Sequence, residues 1–328
     1  LLVGIGLACI VANVPGSELT KEGGLFYYAY QGVEKLILPP LIFLGVGAMT
    51  DFGPMIANPS LVILGAAAHL GIFVALIGAK LLGFTLAEAC SIGIIGGADG
   101  PMAIYTTMKL APHLLPQISV AAYSYMALMP LIQPPVMRLL TTKEERQIMM
   151  KQPRYVSRLE KIVFPVVIAV IVNLFLPPVA PLITMLMLGN LLRECLCVDR
   201  LAETASNALL NIVTLVLTVA IGSTMAAETF LTPDTLIIIV LGLVAFVFGT
   251  GSGVVCARIM CKLTHGRINP LIGSAGIASV PIAARVSHLV GQQENRRNFL
   301  IMHAMGPNLA GVFGTAISGG IMLALLAH

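Results

Sequence analysis

Of 328 residues, 57% are hydrophobic and 10% are charged, against about 25% charged in a soluble domain. Core volume grows too slowly with chain length to hide that much apolar surface from water, so a soluble globular chain is excluded and a bilayer must solvate the apolar faces. The net charge of +4 comes without a basic stripe interleaved with aromatics, which argues against a nucleic-acid partner.

A helical crossing needs about 20 apolar residues, and the chain has room for about ten. Taken in chain order, apolar segments run over 1–14, 36–50, 59–82, 86–110, 114–140, 162–176, 179–192, 207–225, 235–260, 270–290 and 298–327. Ten-residue alternating strands are absent, so a β-barrel is not expected. The fold class is therefore an all-α polytopic membrane protein. Six cysteines lie in or beside apolar runs and read as small buried hydrophobes. Cys195-x-Cys197 has the wrong spacing for a zinc knuckle. The methionines read as packing material, and His69 and His303 as packing or helix-to-helix hydrogen bonds.

The first dense signal is Ser91-Ile92-Gly93-Ile94-Ile95-Gly96-Gly97-Ala98-Asp99-Gly100-Pro101, midway along its apolar segment. Three glycines and a proline destabilise helix there. In lipid, the freed carbonyls must line a cavity or coordinate something. Asp99 stands at the break, where a carboxylate costs about 3 kcal/mol on insertion scales and marks a functional site by default. Its carboxylate and the freed carbonyl of Gly97 are hard oxygens suited to Na⁺, or to a proton relay. The bland alternative is a helix cap for the half-helix opening at Pro101.

Farther on, Tyr123-Ser124-Tyr125 lies in the segment that ends near Pro130-Pro135. Tyr125 needs a hydrogen-bond partner if buried, and is either a proton donor or an ordinary packing residue. Residues 141–161 carry Lys143, Arg146, Lys151, Arg154, Arg158 and Lys161 and read as a cytoplasmic loop by the positive-inside rule. The stretch 226–234 holds Glu228 and Asp234 without lysine or arginine and is expected outside.

A second break is written in Asn269-Pro270-Leu271-Ile272-Gly273-Ser274-Ala275-Gly276-Ile277-Ala278-Ser279-Val280-Pro281, again rich in oxygen ligands. Arg285 follows by four residues. It grips an anion through its fork, or it snorkels to the interface.

The two breaks belong to a duplication. Gly45–Met49 resembles Ala220–Met225, Ala98–Ala103 resembles Ala278–Ala283, and Met126–Pro130 resembles His303–Pro307, in order and at nearly one offset. Residues 1–140 form a first repeat, 141–161 the basic loop, 162–178 a connecting helix and 179–328 a second repeat. Counting crossings makes the repeats parallel if 162–176 spans fully and inverted if it does not; analogy with transporters favours inverted repeats, each with a broken transmembrane helix at the midplane. The same offset predicts a helix before Leu1 that would complete the first repeat.

These motifs carry a family likeness. Gly96–Pro101, Ala122–Leu128, Leu131–Pro135, Asn269–Gly273, Val280–Ser287 and Met302–Asn308 resemble the β subunits of the sodium-pumping, biotin-dependent decarboxylases of oxaloacetate, methylmalonyl-CoA and glutaconyl-CoA. The resemblance covers nearly the whole chain. It implies a membrane subunit that decarboxylates carboxybiotin delivered by a separate carrier domain, and that couples CO₂ release to Na⁺ export with a proton consumed inside. It also implies a biotin carrier and carboxyltransferase subunit, a small single-span γ-type subunit, and a homo-oligomer. By the same resemblance Asp99, Tyr125 and Arg285 are the catalytic candidates, Arg285 and Asn269 contact carboxybiotin, and Asp99, Asn269 and Asn308 are Na⁺ ligands, to which the freed carbonyls of the first break add Gly97 and the repeat adds Ser279. One departure stands out: the family serine three before the proline is Ala278 here, so Ser279 is expected to supply the hydroxyl. The competing reading is a sodium–proton antiporter or sodium–organate symporter without chemistry, which has little use for Arg285 and Tyr125. A membrane scaffold leaves both broken helices unexplained.

Overall fold

The computed structural model describes residues 2–226, 230 and 232–326, and among them there are helices, turns and coil but no strand. Several helices begin where the sequence writes Ser/Thr-x-x-Glu. Thr85 with Glu88, Thr142 with Glu145 and Ser157 with Glu160 each form a reciprocal capping box, in which hydroxyl and carboxylate satisfy two otherwise orphan backbone donors.

Among the described residues, five helices are long and apolar enough to cross a bilayer: Pro59–Leu81, Pro112–Leu140, Asp199–Ser223, Pro233–Leu263 and Ile301–Leu326. A sixth span is possible by the same measure if Leu25–Glu34 and Leu38–Met49 count as one, although they meet at 73°. Leu36, at φ +57°, makes that corner, and Pro39-Pro40 opens the second arm. The sequence had room for about ten crossings. The difference lies in apolar segments that are short or interrupted, such as Leu2–Ala12 and Leu86–Gly97. Glu228, expected in an external loop, lies outside the described residues.

Both expected breaks are present. In the first, Leu86–Gly93 tightens into the 3₁₀ turn Ile94–Gly97, Ala98 turns left-handed at φ +54°, Asp99 is extended, and Gly100–Leu110 resumes as α-helix. In the second, the 3₁₀ segment Pro270–Gly276 gives way to extended Ile277, and Ile282–Glu294 follows as α-helix. Residues 91–100 and 268–279 are buried throughout. Each half of the chain therefore runs long helix, broken helix, long helix.

Small residues let backbone approach backbone at the breaks. A Cβ built on Gly96 would fall 2.8 Å from the backbone of Gly71 and Ile72, and one built on Gly253 would strike the Gly273 carbonyl. The breaks are thereby seated directly against Leu70–Leu81 and Pro233–Leu263, with no side-chain layer between them.

Candidate functional site

The two breaks touch each other. The Ala278 N–H donates to the Gly97 carbonyl at 2.9 Å, so the unwound strands of the two halves share a hydrogen bond in the protein interior. Gly97 has no room for any side chain, because a Cβ there would sit 2.6 Å from Thr315 Oγ1. Thr315 in turn is within 2.8 Å of His69 Nε2 and donates to the Gly311 carbonyl. His69 is thus a helix-to-helix contact, as its sequence setting suggested.

Asp99 is 6% exposed. Its Oδ1 accepts the Met102 N–H at 3.0 Å, capping Gly100–Leu110, and no cation or ion-pair partner for it occurs among the described residues. The cap accounts for one lone pair of the carboxylate and leaves its charge unbalanced. The carboxylate borders a cavity of about 140 Å³. By this measure a water needs about 10–15 Å³, so the space admits a small ion and several waters. The lining includes Ala98, Gly100, Tyr123, Thr214, Ala278 and Val312, and so joins both breaks to three neighbouring helices.

Asn308, one turn before Val312, braces the second break. Its Nδ2 donates to the Ala275 carbonyl at 3.0 Å and to the Ile277 carbonyl at 2.7 Å. Its Oδ1 is buried without a donor among the described residues. Gln133 repeats the arrangement: Nε2 donates to the Ser274 carbonyl at 2.8 Å while Oε1 has no partner. An orphaned amide oxygen is costly in a low-dielectric interior, by about 1–3 kcal/mol each. Both oxygens are suited to a cation or a water.

Other expected site residues lie elsewhere. Ser279 does not face Asp99. Its hydroxyl donates to Met129 Sδ at 3.0 Å, and Ala278 occupies the cavity wall. In the unwound stretch the side chain at the family serine position is the one that points inward. Tyr125 is likewise turned away: its hydroxyl donates to the Ile239 carbonyl and its ring stacks on Phe246 at 6.4 Å. The tyrosine on the cavity is Tyr123, two residues earlier and about 200° around the helix. Thr214 also borders it, a hydroxyl in an apolar run that no motif marked.

Asn269 has every polar atom engaged. Oδ1 accepts the Leu271 N–H at 2.9 Å, and Nδ2 donates to the carbonyls of Arg146 and Ile148 at 3.0 and 2.8 Å. It ties the basic loop to the start of the second break. Arg285 is exposed in the first turn of Ile282–Glu294, and its guanidinium makes no hydrogen bond or ion pair among the described residues. Any anion it holds comes from outside the described chain.

Comparison with known proteins accords with this geometry. Residues 1–326 match the model of the Na⁺-transporting oxaloacetate decarboxylase beta subunit family. The glutaconyl-CoA decarboxylase subunit beta of Acidaminococcus fermentans is 59% identical, over 99% of this chain and 87% of its own. The methylmalonyl-CoA decarboxylase subunit beta of Veillonella parvula is 57% identical, over 100% and 88%. The oxaloacetate decarboxylase beta chain of Klebsiella pneumoniae is 56% identical, over 88% and 68%. With its apolar spans and its paired broken helices, this chain belongs to the β subunits of the sodium-transporting decarboxylases, integral membrane enzymes.

Proposed function

We propose that this subunit decarboxylates carboxybiotin presented by a separate carrier domain, couples that reaction to Na⁺ export, and consumes one proton on the carrier's side. The observation behind this reading is the junction of the two breaks. The Asp99 carboxylate at that junction lacks a counter-charge, and Asn308, which braces the second break, has an amide oxygen without a donor among the described residues; a hard cation supplies what both need. Na⁺ is the ion named for the family. Asp99 balances its charge, Asn308 Oδ1 and the carbonyls beside Gly97 complete its oxygen shell, and Tyr123 and Thr214 offer hydroxyls from the cavity wall. Asn269 holds the second break in shape instead of binding the ion.

The chemistry falls to Arg285. An exposed, unpaired guanidinium forks onto a carboxylate brought by a partner and fixes its plane. Decarboxylation breaks the bond between carboxyl carbon and ureido nitrogen. The electron pair stays on nitrogen, which takes up a proton, and CO₂ leaves. Moving one cation against 100 mV requires about 2.3 kcal/mol, and loss of CO₂ from an activated carrier is the driving reaction. The relatives' names, as β subunits, support a multi-subunit complex. In it we place the biotin carrier with its carboxyltransferase, a single-span γ-type subunit and further copies of this chain.

The test is CO₂ release from free carboxybiotin by the purified protein, with and without Na⁺. Na⁺-stimulated release is expected. Na⁺/H⁺ exchange without any CO₂ release would replace this reading with the antiporter.

A further inference from the structure

Most buried hydroxyls on the helices donate back to a carbonyl one turn earlier. Thr50 bonds Val46, Ser91 bonds Ala87, Thr141 bonds Met137, Ser287 bonds Ala283 and Thr315 bonds Gly311. Thr107 and Ser119 do not. Both are 0% exposed, and neither hydroxyl has a partner among the described residues. Their helices, Gly100–Leu110 and Leu115–Leu140, are joined by the short turn Pro112–Leu114 and pack against each other. A Cβ built on Gly100 would lie 2.8 Å from the Tyr123 hydroxyl oxygen, so Gly100 and Tyr123 face each other at the Asp99 end. Ser119 lies one turn from Tyr123 on the same face, and Thr107 lies two turns from Gly100 on the opposing face, about 10 Å along the axis. Ile104, Leu115 and Tyr123 belong to one buried cluster, in keeping with the two faces meeting. The Tyr123 hydroxyl makes no hydrogen bond among the described residues either. Thr106, also unpartnered, points instead toward Gly319, and Thr250 is on a different helix.

Three hydroxyls thus form a row that starts at the Asp99 cavity and runs toward the turn at 112–114. The basic residues of 141–161 put the Leu140 end of the second helix at the cytoplasm, so the row runs outward. We infer that Tyr123, Ser119 and Thr107 line the exit path by which the cation leaves Asp99 for the outer face, each unpartnered oxygen replacing part of its hydration in turn. Helical hydroxyls satisfied by their own backbone are poor ligands. These three have lone pairs and a rotatable proton to spare, which a passing ion requires and a dry packing contact does not.

The inference rests on Asp99 as the cation site, and the experiment separates the two. ²²Na⁺ transport would be measured in vesicles carrying the whole decarboxylase complex, together with the Na⁺ concentration that half-activates decarboxylation. Thr107→Val and Ser119→Ala are expected to slow transport about tenfold, the scale of one lost ligand oxygen, while the half-activating concentration stays within about twofold. Thr107→Ser and Ser119→Thr, which keep the oxygen, are expected to transport like wild type. Wild-type transport by the Val and Ala variants would overturn the path. So would equal slowing by the Val and Ser replacements, because packing and not oxygen would then be the cause. Unaltered Na⁺ activation in Asp99→Asn would overturn the underlying site instead.

Discussion

At the scale of single residues, the site is a set of groups left incomplete. Ala98 is held at φ +54°, a conformation that costs an L-residue about 1–2 kcal/mol, and it turns the chain so that Asp99 can cap the next helix and border the cavity at once. Ala278 stands on the cavity wall while Ser279 is hydrogen-bonded to Met129. Ala278→Ser is therefore expected to add a ligand oxygen and lower the half-activating Na⁺ concentration. Ser279→Ala is expected to shift it by less than about twofold, under the worth of one hydrogen bond. Na⁺ titration of CO₂ release checks both, and the opposite pattern would return the hydroxyl role to Ser279. Arg285 should act on the other substrate. Arg285→Ala is expected to lose carboxybiotin turnover with Na⁺ activation of the residual rate intact, and Arg285→Lys to recover only part, since an ammonium cannot fork. Intact turnover in the alanine variant would leave Arg285 as a snorkelling residue.

At the scale of elements, the basic loop does more than orient the chain. The Arg146 carbonyl accepts from both Asn269 and Asn298 at 3.0 Å, and Ile148 accepts from Asn269. Arg146 pairs with Glu294 at 3.0 Å and Arg258 with Glu145 at 2.7 Å. Residues 141–148 thus strap the start and end of the second broken helix and the C-terminal part of Pro233–Leu263. Asn269→Ala removes two donors from partly buried carbonyls and the acceptor of the Leu271 N–H, and a loss of about 1–3 kcal/mol is expected. It should be read as a lower unfolding midpoint in detergent with little change in Na⁺ affinity; the reverse would make Asn269 a ligand. Burial works against ionisation of Glu145, but the Thr142 amide and the Arg258 guanidinium outweigh it, helped by Lys262, and hold the carboxyl below its ordinary range. A lowered folded pKa stabilises above the unfolded value, about 4.3, and the benefit disappears as pH falls through the folded one. The gap in unfolding midpoint between wild type and Glu145→Gln is accordingly expected to be full at pH 7 and to close below about pH 4. A gap independent of pH would deny the ion pair its part.

At the scale of the molecule, the sequence revealed the breaks and concealed the phase of the helices around them. Glycine, proline and a lone aspartate gathered in an apolar run have no place in an intact membrane helix, so Asp99, Gly97 and the second break could be read from residue type alone. Which of Tyr123 and Tyr125 faces the cavity depends on rotation about a helix whose apolar residues run around all its faces, and the pattern carries no phase information. The choice between Ala278 and Ser279 is harder still, because unwound backbone has no fixed rotation per residue. The strap was illegible for another reason: its bonds are made by backbone carbonyls, which every residue carries. The duplication is matched by the order of elements in the two halves, and we propose that the halves are inverted, bringing the breaks together at mid-membrane.

We propose that the function is decided at that meeting point, and Na⁺ binding to the purified protein tests this without any turnover. Equilibrium ²²Na⁺ binding would be measured for wild type and for Asp99→Asn, with the unfolding midpoint as a control for the fold. Saturable binding by wild type and its loss in a folded Asp99→Asn protein are expected, because asparagine keeps the helix cap and removes the balancing charge. Equal Na⁺ affinity in the two proteins would contradict a cation site at the paired breaks.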